Sequence, residues 1–164
     1  MFLEITSEEF ENVGKLLCKS ITSQTPRDIV GISKNILSSY PQIGSSFVVF
    51  RRFNLEPFRK WKVVKNQKGN DVVEGLDWWK AHNDSKHNGY ATFKVCTLRN
   101  CVDAISALII LNIYLIRSQV NVAFGVTDIR DICSSGGLGE FSVSHYCGQY
   151  FLTKGEEVLP DFVE

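Results

Sequence analysis

Apolar residues recur at helical intervals at the start of the chain. Phe10, Val13, Leu16, Leu17 and Ile21 fall on one face, with charged and polar residues between them. Thr6 followed by Glu9 has the capping-box spacing, so the pattern predicts a helix from about Ser7 to Ser20. Thr25-Pro26 is a second start signal, because proline lacks an N–H that the first helical turn would leave unpaired. Ile29, Ile32, Ile36 and Leu37 give this second helix its apolar face, and Tyr40-Pro41 ends it. The short Ser/Thr/Gln link between the two predicts an antiparallel pair.

Phe47-Val48-Val49-Phe50 is short, β-branched and aromatic, which fits a strand or an extended segment lying on the core. Lys65 to Asp71 is polar, contains Gly69-Asn70 and reads as a loop or turn. A third helix is expected from about Asp77 to His87, stopped by Asn88-Gly89. A fourth and longest helix is expected from near Thr97 to about Ser118. It is apolar nearly all round from Ala104 to Leu111, as a helix covered by its neighbours requires. The longest apolar run, Ala104 to Ile116, is bounded by Asp103 and Arg117 and falls short of the ~20 residues of a membrane span. A central buried helix, with no membrane association, is therefore expected. Gly136-Gly137-Leu138-Gly139 reads as a flexible loop, and Phe141, Val143 and Tyr150-Phe151-Leu152 as a small β-hairpin or extended tail. The fold class expected is mainly α, a helical bundle with a minor β-hairpin or extended strands. Residues 1–164 form a single domain, with 125–164 as a less regular C-terminal extension.

A chain of 164 residues buries roughly 70% of its unfolded surface, enough for a core without staples. Its formal net charge of zero argues against a broad nucleic-acid footprint and leaves room only for a local basic patch. The five cysteines, Cys18, Cys96, Cys101, Cys133 and Cys147, are odd in number and contain no C-x-x-C pair. Glu4, Glu8 and Glu9 stand where a secretory signal would be basic and then apolar. Reduced thiols serving as small core residues, in a cytoplasmic setting, are expected.

Two stretches carry candidate chemistry. The first, Arg51 to Lys62, mixes Arg51, Arg52, Arg59, Lys60 and Lys62 with Phe53, Phe58 and Trp61. Its cations suit phosphates and its rings suit base stacking, so Arg51, Arg52, Arg59, Lys60 and Trp61 are nucleic-acid-binding candidates. The alternative is that the rings anchor the segment to the core while the charges face water. The second, Trp78 to Asn88, gathers two indoles, two imidazoles, two amides, a carboxylate and two ammonium groups into a few helical turns. The indoles are expected to pin the helix to the core, and the helix to end at a polar pocket or partner surface. Asn83 and His87 are four apart and share a face, with Trp79 and Lys86 on the same stripe and His82 at its edge. Histidine moves a proton near neutral pH, an amide holds a phosphate or hydroxyl, and lysine neutralises charge. His87, Asn83, His82 and Lys86 are thus catalytic candidates for metal-free attack of a ribose 2′-hydroxyl. The structural alternative is that these residues favour a helix end and its dipole.

From Leu55-Glu56-Pro57-Phe58-Arg59-Lys60-Trp61 through Trp78-Trp79-Lys80-Ala81-His82-Asn83-Asp84-Ser85-Lys86-His87-Asn88 to the long apolar helix, residues 50 to 120, the chain resembles bacterial and phage proteins. Those look like distant members of the HEPN group (higher eukaryotes and prokaryotes nucleotide-binding). The resemblance implies a small helical bundle, often dimeric. It also implies a metal-independent endoribonuclease of toxin–antitoxin or antiphage defence, with RNA, an antitoxin or a defence protein as partner. The group's motif is Arg, then a polar residue, then three more, then His. Here Asn83 takes the polar position and His87 the terminal one, but His82 stands where the phosphate-binding arginine belongs. The resemblance therefore implies either a nuclease in which His82 or Lys86 replaces the arginine, or a non-catalytic module that binds RNA, a nucleotide or protein, or holds a dimer. A third reading is a nucleotide or small-ligand pocket lined by the tryptophans. No metal or cofactor is implied. His82, Asp84 and His87 do not converge on one helix, and His145 with Cys147 would join them only by accident of fold. Ser134 to Gly139 lacks the Lys-Ser/Thr of a phosphate loop, and no hydrolase signature is present.

Overall fold

The computed structural model describes residues 2–50, 53–88, 94, 96–124, 141–144 and 151–152. Helix α1 spans Phe2–Thr22 and α2 spans Ile29–Ser39, followed by a 3-10 turn at Pro41–Ser45. Strands β1 (Phe47–Phe50), β2 (Phe53–Leu55), β3 (Lys62–Lys65) and β4 (Asp71–Glu74) come next, then α3 (Asp77–Asn88) and α4 (Leu98–Phe124). Strands β5 (Phe141–Ser144) and β6 (Phe151–Leu152) complete the order. The protein is mainly helical, with two small antiparallel sheets. α1 lies along α4 and also touches α2 and α3.

Helix α1 begins at Phe2, not near Ser7, and the capping box does not form. The Thr6 hydroxyl donates to the Phe2 carbonyl at 3.0 Å, a bond inside the helix that leaves no side chain to cap at Thr6. In α2 the start signal is Asp28 and not Thr25-Pro26, because its carboxylate accepts the Gly31 N–H at 2.9 Å. Leu16, assigned above to the apolar face, is exposed, and Leu17 beside it is fully buried. Gly14 brings α1 against α2, since a Cβ there would lie 2.9 Å from Ile32 Cγ2. The Ser20 hydroxyl donates to Ser118 Oγ at 2.9 Å and ties α1 to α4.

Ala104, Ala107, Ile110, Leu111, Tyr114 and Leu115 of α4 are buried in the core. The helix nevertheless corrects the length argument from sequence. It runs past Asp103 and Arg117, and Leu98–Gln119 is long and apolar enough to cross a membrane by length and composition.

The larger sheet has strand order β2-β1-β5-β6, with Val48 opposite Leu55 on one side and Val143 on the other. The segment expected as a C-terminal extension thus supplies two strands that pair onto β1 and each other. The glycine loop at 136–139 lies outside the described residues. Strands β3 and β4 form a hairpin where the sequence indicated only a turn, pairing Val63 with Val73 and Val64 with Val72. Its turn is closed by Asn66, whose side-chain oxygen accepts the N–H groups of Lys68 and Asn70 at 2.9 and 3.0 Å.

One aromatic cluster joins these parts. The fully buried Phe10 ring lies 6.0 Å from Phe58, 6.4 Å from Trp61, 4.9 Å from Trp78 and 6.1 Å from Trp79. Phe10→Ala is expected to destabilise the protein by about 3–5 kcal/mol, read as a lower urea midpoint at constant slope. A loss below about 1 kcal/mol would show that the cluster does not hold the fold together.

Candidate functional site

The aromatic cluster places two exposed segments face to face. Phe58 and Trp61 are buried, so Arg59 and Lys60 between them are turned to water. The Trp61 indole N–H donates to the buried Ser33 hydroxyl at 3.0 Å, which fixes this segment to α2. Trp78 and Trp79 are buried at the start of α3, so Lys80, Asn83 and Asp84 follow along its rim. Between them opens a groove of about 1010 Å³. Its floor and sides come from Ile29 and Val30 of α2, Val72 and Val73 of the hairpin, Leu76, and the flanks of Trp61 and Trp79. Its charged lining is Arg59, Lys60, Lys62, Glu74, Asp77, Lys80 and Asp84.

Gly75 sets the spacing of the two walls. Its φ is +82°, in the left-handed region, and a Cβ there would lie 1.8 Å from the Lys60 carbonyl oxygen. The turn entering α3 therefore rests directly on the backbone of the basic segment. The hairpin is held from its other side by Asp71, which pairs with Lys34 of α2 and with Lys65 at 2.8 Å. Hydrogen bonds from those two lysines hold its carboxyl below the usual range. Lys62 pairs with Glu74 at 3.2 Å inside the groove, and Arg59 pairs with Glu56 at 3.3 Å.

The structure brings Arg59, Lys60, Trp61 and Asn83 to this groove, and leaves His82, Lys86 and His87 outside its lining. His82 is buried, 3% exposed, with its ring 5.3 Å from Trp79. Its Nδ1 has no hydrogen-bond partner among the described residues. Burial, aided by Lys86, pushes its pKa below the ordinary value, while Glu8, Glu4 and Glu11 of α1 pull the other way. The imidazole is therefore neutral at neutral pH and lacks the cation that a phosphate-binding arginine supplies. His87 is exposed one turn beyond Asn83, and Lys86 is exposed on the His82 side of the helix. Trp61 offers the groove little stacking surface, because it is buried and its N–H is committed to Ser33. Arg51 and Arg52 lie outside the described residues, as do His145, Cys147 and Cys133.

The sequence did not indicate Gly75 or the Val72-Val73 wall, and Lys62 and Lys80 lay in the two stretches without being singled out as site residues. The available signal was the pair of valine doublets flanking Asn66 to Asn70, a hairpin pattern without alternation. Among the described residues no three His, Cys, Asp or Glu side chains are grouped to hold a metal. Cys18 is buried, its thiol donating to the Ile32 carbonyl at 3.8 Å and its pKa raised by desolvation, so it is a poor nucleophile. No family model matches the chain, and neither a curated protein nor a solved structure shows significant similarity to it.

Two measurements test this geometry. Gly75→Ala must place a Cβ inside the Lys60 carbonyl and hold a non-glycine residue at positive φ, which alone costs about 1–2 kcal/mol. A loss of at least that size in urea denaturation is expected, and an unchanged midpoint would exclude the close contact. His82 gives a pH dependence. Its folded pKa lies below the ordinary 6.5, so the unfolded chain takes up its proton first as pH falls. Stability is full above pH 6.5 and declines below it, by at most about 1.4 kcal/mol per pH unit, until the folded pKa is reached. His82→Phe should flatten that decline between pH 7.5 and 5. Parallel curves for variant and wild type would show that His82 does not report burial.

Proposed function

We propose that this chain is a HEPN-like helical-bundle domain that binds RNA in the groove without cutting it. The observation that carries this reading is convergence. Arg59, Lys60 and Trp61 belong to one stretch singled out by its sequence, Trp79, Lys80, Asn83 and Asp84 to the other, and all of them line one concavity. Exposed Lys60 and Lys80 supply cations for phosphates, Asn83 supplies an amide for sugar or base edges, and apolar walls suit the face of a base. The loss of a cation at the arginine position argues against phosphorane stabilisation, because His82 is neutral and buried. The cysteine pattern adds a cytoplasmic setting to the same proposal, and the resemblance adds a homodimer and an antitoxin or other defence partner.

One observation keeps a second reading, the metal-independent endoribonuclease. Asn83 lines the groove and the exposed His87 follows it one turn on, so an RNA strand leaving the groove would pass the imidazole.

Fluorescence anisotropy with a short single-stranded RNA, titrated at several salt concentrations in EDTA, separates these readings. Lys60→Glu and Lys80→Glu are each expected to weaken binding across sequences and to lower the salt slope by about 1. The RNA should be recovered intact. Cleavage lost in His87→Ala would replace the binding reading with the nuclease one. Failure of the wild type to bind any RNA would end both.

A further inference from the structure

Resting on that reading, we propose that the groove continues over Lys60 and Gly75 into a second pocket, and that the two are successive subsites for neighbouring nucleotides of one RNA strand. The second hollow, about 290 Å³, lies between the β2–β3 connection and the starts of α3 and α4. Arg59, Lys60, Gly75 and Asp77 line both hollows, so they meet along a shared edge. That edge is the close contact of Gly75 with the Lys60 carbonyl.

The adjacent tryptophans divide between the two. Trp79 walls the groove and Trp78 walls the second pocket. Neighbouring residues on a helix point about 100° apart, so one indole cannot serve both. Two residues of the pocket wall also carry polar atoms sealed from solvent. The Trp78 indole N–H and Asp103 Oδ1 are buried without a partner among the described residues, while Asp103 Oδ2 accepts from Arg99 Nε at 2.7 Å. The exposed Asn54 amide of the same wall carries both a donor and an acceptor, the complement of a nucleobase edge. The volume is at the lower end for ligand pockets and suits one ring system rather than a long chain. Exposed Lys60 stands between the hollows, where the phosphate joining two nucleotides would cross.

The test is affinity against length, measured with end-labelled random-sequence RNA of one, two and four nucleotides on the full chain. The second nucleotide should tighten binding by about tenfold or more, the worth of one well-held base, and the third and fourth should add much less. Arg99→Glu and Asn54→Trp alter exposed residues of the second pocket alone. Both should remove the gain from the second nucleotide and leave mononucleotide affinity within about twofold. Affinity that rises evenly with length, or a second-nucleotide gain that survives both variants, would overturn the two-subsite inference. If the mononucleotide still binds and responds to Lys80→Glu, the groove reading stands without it. If no RNA of any length binds, both fall together.

Discussion

The packing of four aromatic rings around Phe10 is the constraint on which the rest of this structure depends. The rings come from the segment between β2 and β3 and from the first turn of α3, and neither segment reaches the core by other large side chains of its own except Leu76 and Leu55. Trp78 meets Phe10 edge-on, at 4.9 Å and 80°, while Phe58 and Trp61 stack at 4.8 Å and 29°. Such offset and edge geometries are worth about 0.5–1.5 kcal/mol per pair beyond the area they bury. Because both walls of the groove are anchored to one ring, their separation is a property of the core and not of the surface residues that face the groove.

Directional contacts then refine what packing has placed. The Ser33–Trp61 hydrogen bond fixes the rotation of an indole that hydrophobic burial alone would leave free to slide. Gly75 fixes the approach of α3 to the basic segment, since no other residue lets the chain touch the Lys60 carbonyl. The ion pairs of Asp71 with Lys34 and Lys65 are exposed and screened, so they orient the hairpin more than they stabilise the fold. The hierarchy is consistent: apolar burial supplies the energy, and a few polar contacts supply the geometry.

Much of this was legible in the sequence, and the failures have identifiable causes. The first two helices follow from apolar periodicity, the end of the third from Asn88-Gly89, the fourth from its long apolar run, and the burial of Trp78 and Trp79 from the cost of exposing two indoles. The burial of His82 was also within reach, since it lies four residues after Trp78 on the core-facing stripe. The Asn83–His87 spacing does not reveal it, because i,i+4 spacing says which residues share a face and not which face the core takes. Trp61 follows the same logic, three residues after Phe58 with two charges between. The hairpin was missed for a different reason. Val63, Val64, Val72 and Val73 are all half-buried, so no alternation of apolar and polar positions marks the strands. The early start of α1 was hidden by a capping box that is valid in isolation, and only the intact turn before it decides against that cap.

The aromatic cluster also carries a cost. Ser7 Oγ, Trp78 Nε1, Trp79 Nε1 and His82 Nδ1 are buried without partners among the described residues, all on α1 one turn from Phe10 or on α3. Each such atom costs about 1–3 kcal/mol if nothing else meets it. Phenylalanine at positions 78 and 79 would keep most of the buried area and leave no N–H unmet. Tryptophan at both positions gives up stability, and one indole walls each of two hollows that share an edge. Local rules are broken in this way where a chain serves something other than its own folding. The position of α3 is thus decided by ring packing, and the polar atoms that this packing seals lower the stability it yields.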